Sequence, residues 1–205
     1  PQRRAWARTR PAATRAESAV RARSGADVDK QQTWEDTRTV PGTLTKQDIY
    51  DLFDARGIEY EAVEHPPVCS VEEADALAKL PFAEHEAKNF FLRDPKHREY
   101  YLVTVPDHKK VDLKRVQAEL GSKLLSFASS DDLAEKIGIY PGAVTPFAAL
   151  NAEGGSIRVA LDADFVRWGW IGCRPCSNTA SVHLRVPELI ALLGDSGHEV
   201  EVIEL

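Results

Sequence analysis

The stretch at residues 87–93 reads AKNFFLR, and it determines how the surrounding chain should fold. Apolar side chains at alternating positions are typical of a β-strand with one face in the core. A second apolar run, YYLVTV at 100–105, follows after a DPKH turn at 94–97 with its proline early in the turn. The pattern predicts two antiparallel strands, 88–93 and 100–105, joined as a β-hairpin.

Lys88 interrupts this apolar pattern, because simple alternation places it on the same face as Phe90 and Leu92. A lysine on the core-facing side of a strand must either reach solvent along its aliphatic stem or pair with an anion. Two interpretations follow. Lys88 is either a snorkelling lysine at the start of the strand, or a cation at the edge of a pocket, holding a phosphate or a developing oxyanion.

Helix and strand signals alternate on both sides of this hairpin. Capping boxes predict helices that begin after Thr45 and Ser129 and stop at Gly57 and Gly138. Further helices are expected at 71–79, 112–120 and 188–193, and further strands at 58–63, 124–127, 147–150, 157–161, 181–184 and 200–203. The second half should contain a hairpin formed by 147–150 and 157–161. The predicted fold class is α/β of the mixed α+β kind, with a curved, mostly antiparallel mixed sheet and surrounding helices.

The chain divides by charge into two parts. Its 205 residues are enough for one core plus an extension, and the net charge is -6. Residues 1–43 carry nine Lys and Arg against five Asp and Glu, whereas the remainder carries 17 against 27. An acidic body does not favour broad, non-specific RNA binding, since that affinity comes mainly from phosphate neutralisation.

Residues 1–42 differ in composition from the domain expected at 43–205. Seven arginines precede Ser24, and Glu17 is the one acidic residue among them. A segment rich in arginine and poor in acids is typical of an organelle transit peptide. A disordered basic arm, or sequence from an upstream start site, has the same composition.

The cysteines and histidines indicate neither a disulfide framework nor a metal site. Cys69, Cys173 and Cys176 are too few for a framework, which favours a reducing intracellular compartment and a cytoplasmic location. The C-x-x-C at 173–176 has no second pair, so we interpret it as two thiols in a loop before a strand. The six histidines do not fall at metal-ligand spacing, and nucleotide-binding and hydrolase motifs are absent. We expect no metal or cofactor, and either a metal-free enzyme or a binding module.

The loop GAVTP at 142–146 has the composition of a backbone anion site. Gly142 allows a positive φ, Pro146 fixes the end of the loop, and the three residues between them could direct N–H groups into a cavity. An ordinary loop leading into the next strand would have the same composition. Asn178 and His65 are equally consistent with a turn and with the shaping of a loop.

Seven stretches together resemble a known family. They are HPPV at 65–68, VEEA at 71–74, KNFFL at 88–92, VDLK at 111–114, LSFA at 125–128, GAVTP at 142–146 and NTA at 178–180. In this order the set is similar to the YbaK/prolyl-tRNA-synthetase-associated domain family, and most similar to its free-standing alanyl-tRNA(Pro) deacylases. The likeness covers nearly all of 43–205. It implies the family's fold and hydrolysis of mischarged aminoacyl-tRNA.

The resemblance also implies the site. The matching lysine contacts the 3′ end of the tRNA, the matching loop surrounds the aminoacyl ester, and water attacks with help from the terminal ribose. Positioning and oxyanion stabilisation suffice for an ester that is already activated. The residues it implies for catalysis are Lys88, Gly142 and Thr145, and those it implies for substrate binding are His65, Asn89, Ala143, Val144, Pro146, Arg174 and Asn178.

One departure from the family concerns substrate choice. Arg174-Pro175 stands where many members have a His-Pro step that shapes the acyl pocket. An arginine there could contact the tRNA backbone or narrow the pocket. The expected activity is removal of alanine from tRNA(Pro). The alternatives are another small acyl group (serine or cysteine) and a non-catalytic tRNA- or synthetase-binding module.

The expected partners follow from the same resemblance. They are the 3′ end of an aminoacylated tRNA and either prolyl-tRNA synthetase or an elongation factor, with no membrane and no DNA. The basic segment 1–42 could help to hold the tRNA. If it is instead a transit peptide, the location would be an organelle.

Overall fold

The computed structural model describes residues 40–67 and 80–205. The expectations for residues 1–39, and for the helix at 71–79, lie outside the described residues.

The helices are α1 Lys46–Arg56, α2 Leu113–Glu119, α3 Ser130–Ile137, α4 Ala163–Trp168 and α5 Val186–Asp195. The strands are β1 Tyr60–Glu64, β2 Ala87–Arg93, β3 Tyr100–Pro106, β4 Ser126–Phe127, β5 Arg158–Asp162, β6 Trp170–Cys173, β7 Ala180–Arg185 and β8 Val200–Ile203. Ala83–His85 and Pro146–Asn151 are 3₁₀ helices.

The strands form two sheets where the sequence predicted one. The larger sheet has the order β4-β2-β3-β5-β8, with the predicted β2–β3 hairpin at its centre and β5 and β8 added in parallel. The smaller sheet has the antiparallel order β1-β7-β6. A single bridge between Glu86 and Gly172 joins the two sheets. The predicted mixed, mostly antiparallel α+β class is confirmed, and the residues before β2 lie where the sheets meet.

The larger sheet is apolar on both faces, which is why β3 is buried along its whole length. Alternate residues of β3 enter different clusters. Leu102 packs into the main core with Phe53, Phe147 and Leu189, whereas Val103 belongs to a second cluster on the opposite face. The hairpin is therefore held from both sides, and it forms a rigid base for residues at its ends.

Both predicted capping boxes are present. The Thr45 and Ser129 side chains each accept a hydrogen bond from the backbone N–H three residues later, and Gly57 and Gly138 end the helices with φ of 66° and 59°. The predicted hairpin of 147–150 and 157–161 is wrong. Residues 146–151 form a 3₁₀ helix in which four successive residues are buried, because Pro146 favours the first turn of a helix.

Three elements were not predicted: the 3₁₀ helix Ala83–His85, helix α4 and strand β6. Helix α4 has only six residues, and it begins where the Asp162 side chain accepts from the Asp164 N–H and ends at Gly169. Strand β6 follows directly, and Cys173 is its last residue. The loop assignment for Cys173 was therefore wrong, since the short helix turns the chain back into the small sheet. Within residues 40–67 and 80–205, no helix is both long and apolar enough to cross a membrane.

Candidate active site

Lys88 lies at the start of β2, at the edge of a pocket. Its Nζ donates to the backbone carbonyl of Asp107, just after β3. The pocket has a volume of about 210 Å³. It is lined by Glu86, Ala87, Lys88, Asn89, Asp107, Gly142, Val144 and Arg174. The Lys88 side chain is half-buried. It lines the same pocket as Gly142 and Val144 of the 142–146 loop.

Asn89 ties that loop to the sheet. Its Nδ2 donates to the carbonyl of Val144 over 3.0 Å, and its Oδ1 accepts from the Thr104 hydroxyl over 2.8 Å. The amide therefore has a fixed orientation. Asn89 borders the pocket, and its hydrogen bonds position the loop.

The backbone of the 142–146 loop provides fewer donors than the sequence suggested. Gly142 has φ of 95°, the left-handed conformation that glycine permits. The Ala143 N–H donates to the Tyr140 carbonyl over 3.1 Å and is used by the turn. In the parts of the chain that the structure describes, the N–H groups of Val144 and Thr145 have no acceptor. Val144 lines the pocket, whereas Thr145 is fully buried and does not, so of these two N–H groups only that of Val144 borders the pocket.

Arg174 closes one side of the pocket. Its guanidinium donates to the carbonyl of Gly142, across 32 positions of sequence. The side chain therefore joins the loop after β6 to the 142–146 loop. With Lys88 it gives this part of an acidic protein two local positive charges.

Three lining residues were missed by the sequence analysis, namely Ala87, Asp107 and Glu86, and Glu86 is the buried acid among them. It lines the pocket, yet the residue is only 6% exposed. Its Oε1 accepts from the Ser181 hydroxyl over 3.1 Å, and its Oε2 has no hydrogen-bond partner among the described residues. Burial raises the pKa of Glu86 to about 7, against the opposing effects of the Ser181 hydrogen bond and the Arg174 charge. Its only signal in the sequence is its position two residues before Lys88.

His65 and Asn178 lie behind the pocket and do not line it. His65 Nδ1 donates to the Pro66 carbonyl over 2.9 Å, and its Nε2 lies 3.5 Å from the Ser181 hydroxyl. Burial lowers the pKa of His65. Asn178 is buried and accepts from the Tyr140 hydroxyl over 3.3 Å. Neither residue lines the pocket, and His65 is connected to the Glu86 carboxylate through the Ser181 hydroxyl.

Three further predicted residues are buried away from the pocket. Ala143 and Thr145 are fully buried and Pro146 is buried in the short 3₁₀ helix. Their side chains cannot contact a substrate in this conformation. Their predicted contribution is through the backbone of the loop.

The chain has clear relatives. The model of the aminoacyl-tRNA editing domain matches residues 65–192. The prolyl-tRNA editing protein ProX of Acetoanaerobium sticklandii is 36% identical over 160 residues, covering 78% of this chain and 97% of that protein. The chain belongs to the aminoacyl-tRNA editing domain family. All predicted site residues lie within the matched range.

Two further comparisons agree with this assignment. The prolyl-tRNA synthetase associated domain-containing protein 1 of Bos taurus is 32% identical over 153 residues, which are 71% of this chain and 86% of that protein. A crystal structure of a candidate trans-editing enzyme for prolyl-tRNA synthetase superposes with a TM-score of 0.56 at 19% identity, covering 80% of this chain and 99% of that one. The predicted family and fold are confirmed.

The two cysteines that the structure describes in this editing domain do not line the Lys88 pocket. Cys173 and Cys176 are buried free thiols, and burial raises the pKa of Cys176 to about 12. Cys176 instead lines a second pocket of about 260 Å³ beside the start of α1, which contains no predicted site residue. Neutral thiols are poor nucleophiles, so neither cysteine is placed or ionised for attack on a substrate in the Lys88 pocket.

Proposed function

We propose that this editing domain is a trans-acting deacylase that hydrolyses the ester of mischarged Ala-tRNA(Pro). The observation that carries the proposal is the shared pocket of Lys88 and the 142–146 loop. The Lys88 cation and the unused backbone N–H of Val144 border a space large enough for a small acyl group. Membership of the family supplies the substrate class, and relatives are named for prolyl-tRNA editing.

The chemistry requires little from the protein, because an aminoacyl ester is already activated. Water adds to the carbonyl carbon, the bond to the ribose oxygen breaks, and the ribose oxygen takes up a proton as the free amino acid leaves. We propose that the Val144 N–H, with Lys88, stabilises the developing negative charge. Binding the terminal nucleotide would orient its remaining ribose hydroxyl to assist the water.

Selection by size is a part of this proposal. Arg174 closes the mouth against Gly142, so the pocket should admit alanine and exclude the larger ring of proline. Steric exclusion of a larger acyl group can be strong, whereas the attraction gained from one extra methylene amounts to only about 1–3 kcal/mol. Serine is close to alanine in size and is the second candidate on this ground.

Binding of the tRNA should rest on few contacts, because the overall charge is -6. Local positive charge near the ester would come from Lys88 and Arg174. An interaction with prolyl-tRNA synthetase or an elongation factor, a cytoplasmic or organellar location, and a role for residues 1–42 stay predictions.

The test is hydrolysis of Ala-tRNA(Pro) by the purified protein, beside Ser-, Cys- and Pro-tRNA(Pro). We expect release of alanine with the proline ester intact. Release of serine or cysteine alone would keep the deacylase and change its substrate. No hydrolysis of any of the four would leave a binding module of the same fold.

Replacing Arg174 by alanine is expected to relax the size selection. Because the guanidinium closes the mouth, its removal should raise the ratio of proline to alanine release by about tenfold. The measurement is kcat/KM for both esters, with Arg115→Ala on the exposed face of α2 as the control. An unchanged ratio, with kcat/KM lowered equally for both esters, would instead make Arg174 a contact to the tRNA backbone.

A further inference from the structure

The Glu86 carboxylate has one partnered oxygen and one unpartnered oxygen. Ser181 donates to Oε1, whereas Oε2 is buried without a donor or an ion pair in the described residues. A Cβ on residue 172 would lie 2.6 Å from Oε2, so Gly172 provides the room for this oxygen. A buried acceptor without a donor is costly, and it calls for an explanation such as a water, an ion or a functional role.

The pocket carries charges of both signs. Lys88 and Arg174 are held by the backbone carbonyls of Asp107 and Gly142, and Glu86 is the buried acid between the two sheets. An aminoacyl-tRNA 3′ end also carries both signs, with phosphates at one end and an α-ammonium group at the other. The cations suit the phosphates, and only Glu86 among the buried lining residues carries a carboxylate.

We propose that Glu86 receives the α-ammonium group of the aminoacyl ester by turning its unpartnered oxygen, which is buried against Gly172 in this conformation, into the pocket. This assignment rests on the proposed deacylase function and deepens it. Glu86 then distinguishes aminoacyl-tRNA from peptidyl-tRNA and other N-blocked esters, which have the same ester bond and lack the charge. An ammonium donor also provides the charge-assisted hydrogen bond that a buried carboxylate requires.

The surroundings of Glu86 are consistent with a carboxylate that ionises when a cation arrives. Arg174 favours its charged form, whereas Asp107 and burial oppose it, and the pKa is about 7. His65 lies behind Ser181, and its unprotonated Nε2 can accept from the Ser181 hydroxyl when Glu86 is protonated. The empty site therefore tolerates the neutral acid, and a bound ammonium shifts it to the anion.

The experiment compares Ala-tRNA(Pro) with N-acetyl-Ala-tRNA(Pro), using the native protein, Glu86→Gln and Glu84→Gln. Glutamine keeps the shape and the acceptor for Ser181 but removes the charge, and Glu84 is an exposed glutamate two residues away. We expect the native protein and Glu84→Gln to favour the free amine by about tenfold or more in kcat/KM. In Glu86→Gln, hydrolysis of the free-amine ester should fall to the level of the acetylated one, which stays unchanged.

A binding measurement separates this inference from the deacylase proposal. Calorimetry measures the binding of 3′-deoxy-3′-(alanylamino)adenosine, an amide that cannot be hydrolysed as an ester, and of its N-acetyl derivative. The difference between the two affinities reports the contact with the amine in the absence of hydrolysis. Stronger binding of the free amine, lost in Glu86→Gln, would support the inference even if no ester is hydrolysed. Equal binding of both compounds, or an equal loss of both hydrolysis rates in Glu86→Gln, would overturn it.

Discussion

Replacing Lys88 by alanine should reduce kcat/KM for release of the acyl group by about 100-fold or more. The expectation follows from the position of its charge, at the rim of the pocket that faces the 142–146 loop. Removing a donor that stabilises a developing oxyanion costs a factor of about 10²–10³ in comparable sites. The fold should not change, because the Lys88 side chain is partly exposed and makes its hydrogen bond to a carbonyl at the surface.

The matched control is Lys96→Ala, which removes an exposed lysine at the turn of the same hairpin. We expect native activity from it, together with unchanged circular dichroism for both variants. An active Lys88→Ala protein would remove Lys88 from the chemistry and leave the Val144 N–H as the source of stabilisation. A change confined to KM would assign Lys88 to phosphate binding.

The second large effect is on stability, and it concerns Glu86. Its pKa is about 7 in the folded protein and near 4.5 when solvated, because burial penalises the charged form. Between these pH values the unfolded chain loses the proton while the folded protein retains it, so the free energy of unfolding falls as pH rises. The contribution of Glu86 to the free energy of unfolding is complete below pH 4.5, and it is lost by the time the pH has risen through 7.

Glu86→Gln should therefore gain stability relative to the native protein as pH rises. Between pH 5 and pH 8 the difference in the free energy of unfolding should shift by about 2 kcal/mol in favour of the variant. Urea denaturation at both pH values measures it, and Glu84→Gln serves as the exposed control. The same difference at both pH values would mean that Glu86 is solvated and ionised in the folded protein.

Two helices and a hairpin that are specified by residues close together in the sequence were predicted correctly. The capping boxes at Thr45 and Ser129 specify their helices because side chain and backbone satisfy each other within one turn. The alternation at 87–93 and 100–105 likewise specifies a hairpin. The family resemblance located Lys88 and the 142–146 loop, which the structure brings to one pocket.

The remaining features depend on contacts distant in sequence. Glu86 becomes a site residue only because Gly172 and Ser181, almost a hundred positions away, lie against its carboxylate. The 146–151 segment is apolar enough for a strand, but tertiary packing buries it as a 3₁₀ helix. His65 and Asn178 were predicted at the site, and the structure places both behind it. Periodicity along the chain contains none of this information.

The bridge between Glu86 and Gly172 has a consequence for how relatives of this protein can diversify. The backbone of Glu86 links the two sheets, while its side chain lies beside the pocket. A side chain of different shape there would disturb the packing against Gly172 as well as the pocket, so few such changes should survive selection. Residue 174 lies in a loop, and its side chain can change without moving a strand. We therefore expect new substrate ranges to evolve by substitution of residue 174, while Glu86 is retained.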